Sequence, residues 1–536
     1  MEYYPYRPAI VIPALLALGY LVYHLLTPSR LPKGLPVIGL RTSDRWFPLL
    51  RASWRNTLDF KAALAEADAK YRDQAAILPM AGSITMIMLP RSETQFVVEQ
   101  PDTVLDLHSA AIESLQIDYT CTDPYLVYNA VHTKLIVTTL TNQIGNLVPD
   151  VADETAWAFD KYWGGAIAAA GHDSPDDDAY TEICVYDTLR RVIGHVTNRV
   201  FLGAPLCRDT ALLDVGMAYA QDVPLMSQVL RLIWEPIRPV VALFLTIPIR
   251  FRTRAFQKIL QPEIEQRLAD FDARQRDPED KSLSPERNDF LQWTIKQAKE
   301  SGDPYMWKPA TLAGRILLLN FAAIHTSSFS ITGAILDLVA GKQAYIDELR
   351  AEIEGVLAEY GGQWNKRALA RMEKLDSVMR ESARLNSFVT VGVARAVVAK
   401  DGITTPSGLQ IAQGNKVVCH AYSVLQDSDV YPDAQQFQPF RFSQQREDES
   451  VEYVKRAAKA FATTSNEYLA FGHGKFACPG RFFAANELKL MLAHLIVNYD
   501  LRITEGSRPR NMWFGLNRVP PMEATIGIRR RKRAAA

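Results

Sequence analysis

The chain carries no surplus of charge of either sign: 60 Lys and Arg face 60 Asp and Glu, for a formal net charge of zero. That removes the usual mark of a nucleic-acid-binding protein, which is a clear basic excess. Cysteine is scarce. The five residues, at 121, 184, 207, 419 and 478, are odd in number, scattered and without a Cys-x-x-Cys pair. This argues against a disulfide framework and against a structural zinc site. Asn-x-Ser/Thr acceptors are absent, so nothing points to a glycosylated lumenal body. No internal repeat or long disordered linker interrupts the sequence. At 536 residues and 48% hydrophobic, it suits one large single-core enzyme.

The N-terminus departs from globular character. Residues 9–26 are apolar except for Tyr20, Tyr23 and His24 and carry no formal charge. A helix of that length spans roughly 27 Å, matching a thin bilayer. A cleaved signal would need a shorter apolar core and a small-residue cleavage site, whereas this run ends Leu25-Leu26-Thr27-Pro28. We expect a short lumenal tail at 1–8 and a transmembrane anchor at 9–26, the alternative being a buried N-terminal helix. Arg30 and Lys33 lie just beyond the anchor and lean towards a cytoplasmic body. Pro28, Pro32, Pro36, Gly34 and Gly39 make 27–40 a stiff connector, and 41–536 form the folded body.

Helical periodicity dominates that body. Trp157 to Trp163, Ile183 to Val200, Glu263 to Phe271, Ile346 to Glu359 and the apolar run Ile316 to Val339 read as helices. Residues 76–79 and 84–89 read as a hairpin across Gly82, and 393–398 with 411–418 as another small sheet. Loops are expected at 171–178 and 277–288. The stretch Pro224 to Phe256, apolar and closed by Arg250, Arg252 and Arg254, reads equally as core helix or as a segment dipping into a membrane surface.

One decapeptide is the most informative: Phe471-Gly472-His473-Gly474-Lys475-Phe476-Ala477-Cys478-Pro479-Gly480. Pro479 suits a first helical position, and amides of Gly480 and Arg481 would then face the sulfur at a helix start, where negative charge is favoured. A thiolate, the metal-binding form, is stabilised there. Gly472 and Gly474 leave room for a large flat group beneath Phe471. A single sulfur ligand on such a platform points to haem iron; a buried structural cysteine in a Gly-rich turn is the bland alternative.

Two further motifs precede it in order. Glu381-Ser-Ala-Arg384 places carboxylate and guanidinium on one helix face, and Phe437-Gln-Pro439-Phe440-Arg441-Phe442 follows. Inside the apolar helix lies a polar island, Phe321-Ala322-Ala323-Ile324-His325-Thr326-Ser327-Ser328, which is either a set of back-bonded hydroxyls or a site.

Taken together, these motifs resemble those of the cytochrome P450 monooxygenases. The resemblance implies a mostly α fold with a small β region, the cytochrome P450 fold, preceded here by a single N-terminal transmembrane helix. It implies haem b with Cys478 as the axial ligand. Phe471, Gly472 and Gly480 would cradle the haem, Arg395 would seat a propionate, and Lys134 is a second candidate cation. Glu381, Arg384 and Arg441 would form a structural ion cluster. Phe321, Ala322, Phe388 and Val389 would line the substrate pocket. Thr326 and His325 would manage protons for oxygen activation. His325 stands where an acid is usual; an imidazole titrating near neutrality would preserve the role with altered pH dependence. Phe476 replaces a common propionate-binding Arg or His. The His-Thr-Ser variant is similar to that of fungal ent-kaurene and indole-diterpene oxidases.

The resemblance implies a membrane-bound fungal secondary-metabolite monooxygenase in the endoplasmic reticulum. It would take O2 and electrons from an NADPH–cytochrome P450 reductase docked near Lys475, Arg481 and Lys489. An apolar terpenoid or polyketide-type small molecule would be hydroxylated. Rearrangement, ring expansion or desaturation of a polyketide–amino-acid hybrid is the rival outcome, and a non-catalytic haem sensor or carrier the remaining one.

Overall fold

The computed structural model describes residues 31–532 apart from 83–84, 173–177, 279–282, 284 and 505. The expected tail and anchor at 1–26 lie outside the described residues, as does the first part of the connector. Within the connector, Val37 bridges Ile77 in parallel and ties the chain's entry to the sheet.

Ten helices position the site. They are α1 (Pro48–Leu58), α2 (Leu107–Leu115), α3 (Thr141–Phe159), α4 (Val185–Phe201), α5 (Thr210–Leu232), α6 (Arg238–Leu245), α7 (Ile247–Arg276), α8 (Pro309–Val339), α9 (Glu373–Asn386) and α10 (Arg481–Asn498). Sequence-local chemistry starts several of them. The Asp106 carboxylate accepts from the amides of His108 and Ser109 at the head of α2, and Asp209 accepts from Leu212 at the head of α5. Pro309 opens α8, where its missing N–H costs nothing.

The core is helical. α3, α4, α8 and α10 pack around Phe159, Trp163, Leu189, Ile193, Leu317 and Leu492. α8 is the one helix among the described residues long and apolar enough to cross a membrane, yet most of its residues are buried inside the protein. Its apolar character serves core packing on nearly all sides.

The strands are β1 (Ala76–Leu78), β2 (Met86–Leu89), β3 (Leu105–Asp106), β4 (Thr181–Cys184), β5 (Val391–Val397), β6 (Ile403–Thr404), β7 (Gln410–Ile411), β8 (Lys416–His420), β9 (Tyr499–Ile503), β10 (Met512–Phe514), β11 (Asn517–Val519) and β12 (Thr525–Arg530). The expected hairpin is β1–β2. The second expected sheet is not separate: β5 and β8 pair antiparallel and join the hairpin in one five-stranded sheet ordered β1-β2-β8-β5-β3. The three-stranded sheet β4-β12-β9 has no counterpart in the sequence reading. Its strands are short and distant in sequence, so no local pattern announces them.

The Pro224–Phe256 stretch is not one helix. It crosses the end of α5, all of α6 and the start of α7, and Val240, Leu243 and Phe244 of α6 are exposed while Ala242 is buried. Trp46, Phe47, Leu49, Leu50, Trp54 and Leu58 in and before α1 are exposed as well. Thr57 receives the Ala81 amide, and Gly82 abuts the Arg231 carbonyl, so α1, the β1–β2 turn and the end of α5 adjoin one another.

Candidate active site

Cys478 occupies the turn before α10. Gly472 and Gly474 adopt positive φ (67° and 71°), which lets the loop reverse sharply, and the Cys478 amide donates to the Phe471 carbonyl at 2.8 Å. A Cβ on Gly474 would collide with Val98. The thiol is ringed by protein yet solvent-accessible, so it faces an interior cleft. Burial pushes it above its ordinary value, while the Gly480 amide, the Arg481 charge and the Arg481 amide pull the other way. The amides face the sulfur as expected, but the helix opens at Arg481 with Gly480 as its cap, so Pro479 precedes the helix and does not hold its first position.

α8 packs against α10, the helix that Cys478 precedes. In the middle of this otherwise buried helix, Ala322 is exposed, and Phe321, Ala323 and Thr326 are half-buried. Small side chains thus leave open space beside a core helix. The Thr326 hydroxyl donates to the Ala322 carbonyl at 2.8 Å, with the Ala323 carbonyl at 3.3 Å. Tyr219 of α5 meets Phe321 edge-on with ring centroids 6.5 Å apart. Phe388, half-buried, faces Phe329 at 6.3 Å, and Val389 bridges Asn517, so the segment after α9 and the β10–β11 hairpin close another side.

Arg395 on β5 reaches the cysteine loop. It is buried, its Nη1 donates only to the Ala394 carbonyl, and it forms no ion pair among the described residues. Its guanidinium lies over the Phe476 ring at 4.6 Å. The departure at Phe476 therefore acts as a platform for the remaining cation. Burial pulls Arg395 below its ordinary value, as expected for a cation awaiting an anion. Lys134 is exposed and makes no ion pair among the described residues, and the structure does not bring it to Arg395. The buried cation that meets the segment before Lys134 is instead Arg315 of α8, which donates to the Asn129 carbonyl at 3.0 Å and faces His132 Nδ1 at 3.3 Å.

His325 corrects an expectation. It turns from Thr326 towards α4, where Tyr186 Oη lies 2.7 Å from Nδ1 and the rings of Tyr186 and Phe329 flank it. Burial, reinforced by the Arg190 charge, pulls it down to about 4, against a weak upward pull from the Met217 carbonyl. Nε2 lies within the 3.5 Å hydrogen-bond limit of no partner among the described residues. The ring is neutral at physiological pH and does not titrate near neutrality. Tyr186 lies 139 residues away in sequence and no motif announced it.

The structural cluster forms as expected. Arg384 grips Glu381 with two bonds of 2.8 Å, and Arg441 Nε reaches both Glu381 oxygens at 3.2 Å. Carbonyls of Leu425, Ala434 and Pro432 take up further guanidinium protons. All three side chains are buried, and this degree of bonding is what makes such a cluster tolerable. Lys489 departs from expectation: it is buried on Asp376 at 2.7 Å and is no part of a docking surface. Lys475 is exposed but paired with Asp102, and Arg481 donates to the Cys478 carbonyl.

The donor set fits haem. An accessible sulfur at a helix start, glycines beneath Phe471, a buried cation without a carboxylate and a cleft under Ala322 are what a thiolate-ligated porphyrin with propionates requires. Among the described residues no group of three or more His, Cys, Asp or Glu could hold a metal ion.

A family model described as cytochrome P450 matches residues 132–522. The chain belongs to the cytochrome P450 family. It is 36% identical over 433 residues to cytochrome P450 monooxygenase 71 of Postia placenta, covering 81% of each chain. It is 29% identical to monooxygenase gloP of Glarea lozoyensis, over 91% of this chain and 90% of that one. With monooxygenase astC of Aspergillus terreus the identity is 28%, over 98% and 97%. Among solved structures, retinoic acid-bound cyanobacterial CYP120A1 shares the fold, with a TM-score of 0.60 at 19% identity, over 89% of this chain and 96% of that one. The resemblance to fungal monooxygenases of secondary-metabolite type is thereby met. This P450 is an oxidoreductase with a cysteine-ligated haem, acting with O2, a redox partner and a small-molecule substrate.

Proposed function

We propose that this P450 hydroxylates an apolar secondary metabolite of terpenoid or polyketide type, with Cys478 as its iron ligand. One oxygen atom of O2 enters a C–H bond and the other leaves as water, with NADPH supplying two electrons. The observation that carries the reading is the accessible Cys478 at the head of α10, together with the Ala322–Thr326 stretch left uncovered on the otherwise buried α8 that packs against α10.

Bound haem supplies oxygen activation under thiolate donation. The chain's residues do the rest. Amides of Gly480 and Arg481 steady the sulfur. Arg395, braced on Phe476, holds a propionate carboxylate. Thr326 carries a hydroxyl that rests on the Ala322 and Ala323 carbonyls and can rotate to donate elsewhere. His325, held by Tyr186 and neutral, adds no charge beside Thr326. Phe321, Phe388 and Val389 give the substrate an apolar wall.

The electrons come from NADPH–cytochrome P450 reductase at the Cys478 side, and the enzyme sits on the endoplasmic-reticulum membrane with its body in the cytoplasm. Residues 9–26 act as the anchor and 27–40 as the connector. The exposed apolar residues of α1 and α6 support a body that rests on the bilayer, with Arg250, Arg252 and Arg254 following at the start of α7. Product mass after incubation with reductase, NADPH and candidate precursors tests the reading. A gain of one oxygen is expected; loss of two hydrogens alone would replace hydroxylation by desaturation.

A further inference from the structure

Two buried cations meet at the far end of α5. Arg231, in its last turn, is 8% exposed and has no hydrogen-bond or ion-pair partner among the described residues; its Nε is sealed without an acceptor. Lys416, opening β8, is equally buried, and its Nζ holds Glu113 of α2 at 2.6 Å. Among the described residues Glu113 is the carboxylate acting on both cations, and Arg238, donating to the Ile233 carbonyl, adds further positive charge. Burial pulls both Arg231 and Lys416 below their ordinary values.

The corner is held in place. A Cβ on Gly82 would collide with the Arg231 carbonyl, and one on Gly515 with the Gln228 side chain, so the β1–β2 turn and the β10–β11 hairpin dock against the end of α5. The other end of the same helix reaches the cleft through Tyr219 on Phe321. From Tyr219 to Arg231, α5 rises about 18 Å.

A buried guanidinium without acceptors is costly to keep, and its fork matches a carboxylate in two parallel bonds. Arg231, Lys416 and Glu113 together carry one net positive charge, and Arg238 adds to it, so the corner favours an anion. We propose that Arg231 and Lys416 bind a carboxylate at one end of the substrate, so that the enzyme takes an apolar acid and oxidises a carbon far from its acidic group. This rests on the monooxygenase reading above and names its substrate class.

The test titrates the full-length, haem-loaded protein with dodecanoate and with methyl dodecanoate, by calorimetry and by the shift of the haem absorption band. The acid should bind at least tenfold tighter than the ester, and in Arg231→Gln the acid should fall to the ester's affinity. Lys416→Gln should narrow the gap in the same direction, which keeps the test open if Arg231→Gln misfolds. Equal binding of acid and ester by the unaltered protein, or binding of neither, overturns the proposal. A lipid headgroup offers similar chemistry, so flotation with phosphatidylcholine vesicles, with and without phosphatidate, forms a further arm. If Arg231→Gln weakens only the phosphatidate-dependent binding and leaves the acid-to-ester ratio intact, the site belongs to lipid and the proposal falls. Absence of a thiolate-type carbon monoxide spectrum in the same sample would instead sink the monooxygenase reading.

Discussion

At Cys478, burial and the amides of Gly480 and Arg481 pull in opposite directions, and the sulfur is left accessible to one side only. Cys478→Ser should therefore abolish the thiolate-type absorption of the carbon monoxide complex, because a hydroxyl does not ionise there as a thiol does. Thr326→Ala removes a hydroxyl that lies within reach of two carbonyls. It should leave that spectrum intact while NADPH consumption is diverted to hydrogen peroxide; full coupling of NADPH to product would show that α8 is misassigned. His132, His325 and His420 are each pulled down to about 4, chiefly by burial. Their folded values lie below the unfolded value of about 6.5, so the unfolded chain binds more protons between the two. The contribution of these three histidines is full above pH ~6.5 and is lost as pH drops towards 4, by several kcal/mol in sum. Thermal unfolding across that range checks the sign.

Two helices carry expectations of their own. α9 is joined through Glu381 to Arg441, which opens the helix 441–447 after a long loop. Breaking a buried pair on one side strands the other charge, so Arg441→Ala should cost about 3–5 kcal/mol and reduce haem retention. Along α10, Glu487 is fully buried, accepts from the Thr197 hydroxyl at 2.7 Å and has one oxygen unpartnered. Burial raises it to about 8. A carboxyl raised in the folded state stabilises below its unfolded value and loses that contribution as pH climbs through 8. Glu487→Gln should flatten the alkaline limb of the stability profile, read as a smaller drop in melting temperature between about pH 6 and 9.

For the whole molecule, the apolar residues exposed on α1 and α6 adjoin the end of α5 through the β1–β2 turn. The chain lacking residues 9–26 should still float with phosphatidylcholine vesicles in high salt, and Phe244→Glu together with Leu243→Glu should end that binding. Salt-sensitive binding by the truncated chain would assign the contact to Arg250, Arg252 and Arg254 instead.

The family, the turn that presents Cys478 and the ion cluster were legible because each rests on residues close in sequence: glycines and Pro479 around Cys478, and Glu381 three residues before Arg384. The long apolar helix and the β1–β2 hairpin were legible for the same reason, since periodicity is a local property. The β4-β12-β9 sheet was not, because its pairings join Thr181–Cys184 to strands near the C-terminus. Nor were the states of individual ionisable groups. His325 reads as a titrating base until Tyr186, Phe329 and Arg190 surround it, and Lys489 reads as a surface charge until α10 buries it on Asp376. Arg231 is one apolar-helix arginine among several until the fold leaves it without an acceptor. Chain order alone thus determined which chemistry this protein carries out. Tertiary packing decided which charges survive burial and what they await, because desolvation depends on neighbours that only folding brings together.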